Sequence, residues 1–143
     1  MVWGLLECSG MSARRPMVLI SDDEPMLVTA LSREARRCGM DTVGDTTSDV
    51  VGLARKHRPD VILLDVHQRI DGRDLLAHLK RDPETCDVKV IVLSAVEDQF
   101  MRRTCLELGA EDYAVKPFDP AFLHKVARLA ARPDEVTEAS NAA

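Results

Sequence analysis

Short apolar runs alternate along the chain with polar turns and helix-spaced apolar stripes. The runs are Met17-Val18-Leu19-Ile20, Asp41-Thr42-Val43, Val61-Ile62-Leu63-Leu64, Lys89-Val90-Ile91-Val92-Leu93 and Tyr113-Ala114-Val115. β-Preferring residues in unbroken succession read as strands buried on both faces, as in a parallel sheet. The second run is short and weak, fit for a sheet edge. Between the runs, Leu27, Leu31, Ala35 and Cys38 share one helical face, opened by Pro25 and stopped by Gly39. Val50, Leu53, Ala54 and His57 mark a second helix, ended before Pro59. Leu75, Leu76 and Leu79 give a third after Gly72, closing near Asp82-Pro83. Met101, Cys105 and Leu108 give a fourth, stopped by Gly109, and Pro120 to Ala131 forms the last. Parallel strands need crossover helices, and right-handed crossovers return to one sheet, so the pattern predicts an α/β fold of three layers built from five β-α units.

Ligands of such sheets bind outside the carboxyl ends of the strands, where the strand order reverses. Asp22 and Asp23 stand there after the first strand, Asp65 after the third, Ser94 after the fourth and Lys116 after the fifth. Three crowded carboxylates cannot all ionise cheaply, so the cluster calls for a cation, and an all-oxygen donor set suits Mg2+. An Asp nucleophile, magnesium and a lysine are the parts that phosphoryl transfer needs. Each residue has a plainer reading: acids at a helix N-terminus, a serine cap, a packed tyrosine, a solvated lysine. Their joint placement at the strand ends favours the chemistry.

Composition narrows the class. With 143 residues, 45% hydrophobic and 30% charged, the chain fits one globular domain. A net charge of −5 argues against a nucleic-acid surface. Cys8, Cys38, Cys86 and Cys105 are widely spaced, without the C-x-x-C pairing of zinc or redox sites, and are read as reduced thiols of a cytoplasmic protein. Val2-Trp3-Gly4-Leu5-Leu6 is interrupted by Glu7 and lacks a basic lead, so no signal peptide or membrane association is expected. Residues 1–16 read as an N-terminal extension, and the polar residues 132–143 as a flexible tail.

Ser21-Asp22-Asp23-Glu24-Pro25, Leu64-Asp65, Leu93-Ser94-Ala95 and Val115-Lys116-Pro117-Phe118, in that order, resemble the receiver domains of two-component response regulators. The resemblance spans residues 17–131 and implies the flavodoxin-like strand order 2-1-3-4-5. It further implies that Asp65 is the phosphoacceptor, taking its phosphoryl group from a histidine kinase or phosphotransfer protein. Asp23 would bind Mg2+ directly and Asp22 largely through water. Ser94 would hydrogen-bond the phosphoryl group and Lys116 would pair with its oxygens. Tyr113 matches the switch aromatic that swings inward on phosphorylation, and Lys116-Pro117 would be cis. The family acts as a phosphoacceptor rather than an enzyme, apart from self-catalysed phosphorylation and dephosphorylation.

Two stretches depart from the family. Val66-His67-Gln68-Arg69-Ile70-Asp71-Gly72 lacks the usual proline and looks one residue short, and the backbone carbonyl of His67 is the one expected to complete the metal site. On the last helix, DNA-binding regulators that dimerise carry a glutamate and an arginine where this chain has Phe122 and Val126. A monomer or weak homodimer is therefore expected, with Leu123, Ala127 and Ala130 facing the core and Phe122, Val126 and Leu129 forming a stripe for a downstream protein target. Two alternatives stand beside the switch: a pseudo-receiver acting as a constitutive interaction module, and a phosphatase-like enzyme. The second is disfavoured because His67 occupies the position of its additional acid.

Overall fold

The computed structural model describes residues 14–131, so the tail and most of the N-terminal extension lie outside the described residues. Strands β1 (Met17–Ser21), β2 (Asp41–Asp45), β3 (Val61–Asp65), β4 (Lys89–Ser94) and β5 (Asp112–Val115) alternate with helices α1 (Pro25–Arg37), α2 (Val50–His57), α3 (Gly72–Arg81), α4 (Gln99–Glu107) and α5 (Phe122–Ala130). They form one parallel sheet in the order β2-β1-β3-β4-β5. The expected fold is therefore found, with β2 on the edge.

Successive strand residues point to opposite faces, and each face has its own helix layer. Leu19, Ile62, Leu64, Val90 and Val92 pack under α2, α3 and α4 through Ala54, Leu76, Leu79 and Cys105. Val18, Ile20, Val61, Leu63, Ile91 and Leu93 pack under α1 and α5 through Leu31, Ala35, Leu123 and Val126. Strand β3 is buried along its whole length, which is why its sequence is apolar up to its final residue. Gly39 (φ 90°) and Gly109 (φ 110°) take the left-handed conformation that ends α1 and α4. Arg15 bonds the Arg36 and Met40 carbonyls, a cation on the negative end of α1.

The end of α5 departs from the sequence expectation. Val126 is 0% exposed and belongs to the core, so it is not part of a partner surface. Phe122, Ala127 and Leu129 lie partly buried at the edge of that core, and Phe122 stacks on Phe118 with ring centroids 4.4 Å apart. Valine fills more of the space against the sheet than Ala127 can, and close packing selects the phase that leaves the smaller void. The helix also begins later than expected, because Asp119 first closes a turn by accepting from the Ala121 N–H.

Gly72 opens α3 where no side chain fits: a Cβ there would stand 2.4 Å from Val66 Cα and 2.7 Å from the Asp65 carbonyl oxygen. Gly72→Ala should cost about 1–3 kcal/mol through backbone displacement, measured by urea denaturation. Val126→Asp should cost about 4 kcal/mol or more, since it buries an unpaired carboxylate. Phe100→Asp, at a side chain 71% exposed, should stay within about 0.5 kcal/mol of the parent.

Candidate functional site

The strand order reverses between β1 and β3, and the site is built at their carboxyl ends. Asp65 ends β3 with 3% of its surface exposed, and Asp22, 1% exposed, follows β1. Carboxylate oxygens of Asp22, Asp23 and Asp65 lie within 4.8 Å of one another. Lys116, after β5, reaches into this cluster, with its Nζ 2.9 Å from Asp22 Oδ2 and 3.7 Å from Asp65 Oδ2. Pairing carries these side chains into register: Asp65 lies beside Leu93, and Ser94 beside Val115. The Lys116 N–H donates to the Ser94 carbonyl, and the Lys116-Pro117 bond is cis, as expected.

Burial raises the Asp65 pKa from its ordinary value. The His67 N–H, which donates to Asp65 Oδ1 at 3.0 Å, opposes the shift, as does the Lys116 ammonium; the charges on Asp22 and Asp23 reinforce it. The site thus holds three acids with one half-buried lysine between two of them. All its donors are hard oxygens, so a divalent cation of the magnesium type fits the residues present. Asp22 is oriented by accepting the Glu24 N–H at 2.9 Å, while Asp23 is exposed.

The Val96 carbonyl collects two donors, Ser94 Oγ at 3.0 Å and Tyr113 Oη at 3.1 Å. Tyr113 is 2% exposed, and Arg102 lies over its ring at 4.9 Å from the centroid. Arg102 is held in turn by both carboxylate oxygens of Glu97. His67 places its N–H on Asp65, and its side chain is exposed.

Some residues of the site gave no sign in the sequence reading. Gln68 bonds the Asp65 carbonyl and Ser48, and Asp45, 3% exposed at the end of β2, accepts from Ser21 and Thr47. Asp45 ends β2 as Asp65 ends β3, two residues beyond the Asp41-Thr42-Val43 run that the sequence pattern marks. Among the described residues, the exposed large apolar side chains are Met26 on α1, Ile70 before α3, and Val96, Phe100 and Leu106 on and before α4, with none on α5.

The family model of the response regulator receiver domain matches residues 18–128. The chain belongs to this family. The receiver is 33% identical over 129 residues to the DNA-binding dual master transcriptional regulator RpaA of Synechocystis, a match covering 87% of this chain and 53% of that protein. It is 37% identical over 125 residues to the DNA-binding response regulator MtrA of Mycolicibacterium smegmatis, covering 85% and 52%. It thus spans about half the length of these curated relatives. The Francisella response regulator 1452 receiver domain superposes with a TM-score of 0.72 at 27% identity, covering 80% of this chain and 94% of that one. The Vibrio cholerae chemotaxis protein CheY4 shares the fold, with a TM-score of 0.76 at 21% identity over 82% of this chain and 100% of that one.

The raised pKa of Asp65 has a thermodynamic consequence of definite sign. The folded receiver holds this proton more tightly than the unfolded chain does, so the associated stability is full below the unfolded pKa and lost as pH rises through the folded one. At neutral pH without divalent cations, Asp65→Asn is therefore expected to melt at a higher temperature than the parent. The difference should shrink on acidification below the ordinary carboxylate range, as followed by circular dichroism.

Proposed function

We propose that this receiver is a phosphorylation-activated switch, in which Asp65 takes a phosphoryl group from the phosphohistidine of a histidine kinase or phosphotransfer protein. The carrying observation is the burial of Asp65 at the rim of the sheet, with Lys116 between it and Asp22 and with Asp23 alongside. Asp22, Asp23 and Asp65, with the His67 main-chain carbonyl, would hold Mg2+. When bound, the ion neutralises charge on the transferring phosphoryl group and lowers the cost of ionising Asp65.

The His67 N–H orients the Asp65 carboxylate through Oδ1, leaving Oδ2 on the side of the Lys116 ammonium. An Asp65 oxygen attacks phosphorus as the P–N bond breaks, and the departing imidazole keeps the bonding electrons and gains a proton. Lys116 would pair with the phosphoryl oxygens, and Ser94 would turn its hydroxyl from the Val96 carbonyl to donate to them. Tyr113 would then be the remaining side-chain donor on that carbonyl. The readout face comprises α4, β5 and the edge of α5, with Val96, Phe100 and Leu106 exposed and Phe122 and Leu129 at its margin.

The alternative of a constitutive interaction module rested on the altered loop. That loop keeps the His67 N–H on Asp65, which favours the phosphoacceptor reading. The family's role as phosphoacceptors supports a non-enzymatic output by protein docking in the cytoplasm. Relatives of which this chain spans about half are named DNA-binding regulators, so the expectation of no nucleic-acid contact is not supported.

Incubation with acetyl phosphate and Mg2+ should add the mass of one phosphoryl group, and Asp65→Asn should add none. Label on that variant, or none on the parent, would refute the reading. Asp23→Asn should weaken Mg2+ binding more than Asp22→Asn, because Asp22 already has Lys116 as its cation and the direct ligand loses an inner-sphere bond. Thermal stability of the parent should rise by about 1.4 kcal/mol per decade of Mg2+ above its Kd, with a smaller response in either variant. Phe100→Asp should abolish docking of the downstream partner while labelling of Asp65 is retained.

A further inference from the structure

The loop that departs from the family pattern is held by the side chain of Gln68. Its Nε2 donates to the Asp65 carbonyl at 2.9 Å and lies 3.3 Å from Ser21 Oγ, and its Oε1 accepts from Ser48 Oγ at 3.1 Å. Ser21 Oγ passes its own proton to Asp45 Oδ2 at 3.0 Å, and Asp45 Oδ1 accepts the N–H and hydroxyl of Thr47 at 2.9 and 2.8 Å. These partners fix the sense of the amide, because reversing it would set Oε1 against the Asp65 carbonyl, acceptor on acceptor. Ser21, Asp45 and Ser48 are all buried. A buried network in which each member is satisfied is rigid, whereas one with a member removed is costly.

Two further observations tie the network to the phosphoacceptor. Ser48 sits at φ 62°, a left-handed conformation that a serine keeps only where its surroundings over-determine it, and its hydroxyl is spent on Gln68. The carbonyl that Gln68 holds belongs to the peptide joining Asp65 to Val66. The next N–H, that of His67, orients the Asp65 carboxylate. Gln68 therefore controls the plane of a peptide on which both the nucleophile and the His67 main chain depend.

We propose that Gln68 is a positioning residue of the phosphoacceptor site: its amide replaces the loop-fixing proline that this chain lacks, and it holds Asp65 and the His67 main chain in the arrangement a divalent cation requires. The inference rests on the reading of Asp65 as a magnesium-dependent phosphoacceptor. Outer partners that orient metal ligands govern affinity without touching the ion. Gln68 acts in this way through a main-chain carbonyl, with Ser48 as its anchor on the turn before α2.

The test is a Mg2+ titration of the full 143-residue chain, following the amide resonances of Val66 and His67, with urea unfolding in parallel. Gln68→Met keeps length and volume but loses the amide bonds, and Gln68→Asn keeps the amide but not its reach. Both should raise the Kd for Mg2+ about tenfold, and should shift the His67 amide resonance even without metal. Ser48→Gly removes one hydroxyl at a backbone position that glycine favours, and should raise the Kd about threefold with little change in the unfolding midpoint. A Kd within about twofold of the parent in the Gln68 variants overturns the proposal; should those variants not fold, an unchanged Kd in Ser48→Gly overturns it. A parent chain with no Mg2+-dependent shifts overturns the phosphoacceptor reading and this inference together, so the two failures are distinguishable.

Discussion

The Lys116 ammonium, set 2.9 Å from Asp22 and 3.7 Å from Asp65, is the contact on which the rest of the site depends. Two of the three clustered acids are nearly sealed from water, and a buried carboxylate without a partner is among the most costly groups a fold can contain. One lysine cannot neutralise three acids. Burial raises the Asp65 pKa and the charges on Asp22 and Asp23 add to that shift, so the folded receiver carries a residual demand for positive charge. A site that lacks positive charge is also one that gains when a cation arrives, which makes the local instability part of its chemistry.

Much of this was legible because strands are read by runs and ends. β3 was bounded from its four apolar residues and the acid that closes them, and Ser94 and Lys116 were found by the same reasoning. Helix α5 was misread because its sequence is degenerate. Phe122, Val126 and Leu129 make one plausible stripe and Leu123, Ala127 and Ala130 another, and periodicity alone does not rank them. Volume against the sheet does, and the core took Leu123, Val126 and Ala130. Asp45 was missed for a different reason: Gly44 and Asp45 have little strand propensity and are held by pairing with Ile20 and Ser21, a tertiary effect. The Gln68 network joins residues 20 and 47 positions apart and has no periodic signature.

The loop after Asp65 is closed by its own hydrogen bonds although it lacks the proline usual in the family. Gly72 lets α3 begin against the backbone of Val66, and its N–H closes the loop on the Val66 carbonyl at 3.0 Å. Val66 donates to the Leu93 carbonyl and so extends the pairing of β3 with β4 past Asp65. Main-chain closure at both ends, with the Gln68 amide between, holds the His67 N–H against the carboxylate. The missing proline therefore does not leave the main chain next to Asp65 unheld.

The shared acceptor at Val96 bounds how strong the switch can be. Ser94 and Tyr113 both donate to that carbonyl, so moving the serine hydroxyl to a phosphoryl oxygen exchanges one hydrogen bond for another and frees one lone pair for the tyrosine. Exchanging a neutral hydrogen bond, a net of about 0.5–1.5 kcal/mol, for one to a charged phosphoryl oxygen, about 1.5–3 kcal/mol, gains about 2.5 kcal/mol at most. Turning a two-state element from about 1:99 to about 99:1 takes about 5.5 kcal/mol. The Ser94 exchange alone falls short of that, and the Tyr113 ring is already held by Arg102, itself paired with Glu97. In the switch proposed above, a partner that binds the α4 face would have to supply the remaining free energy. By linkage, that partner must also favour the phosphorylated form by the same factor.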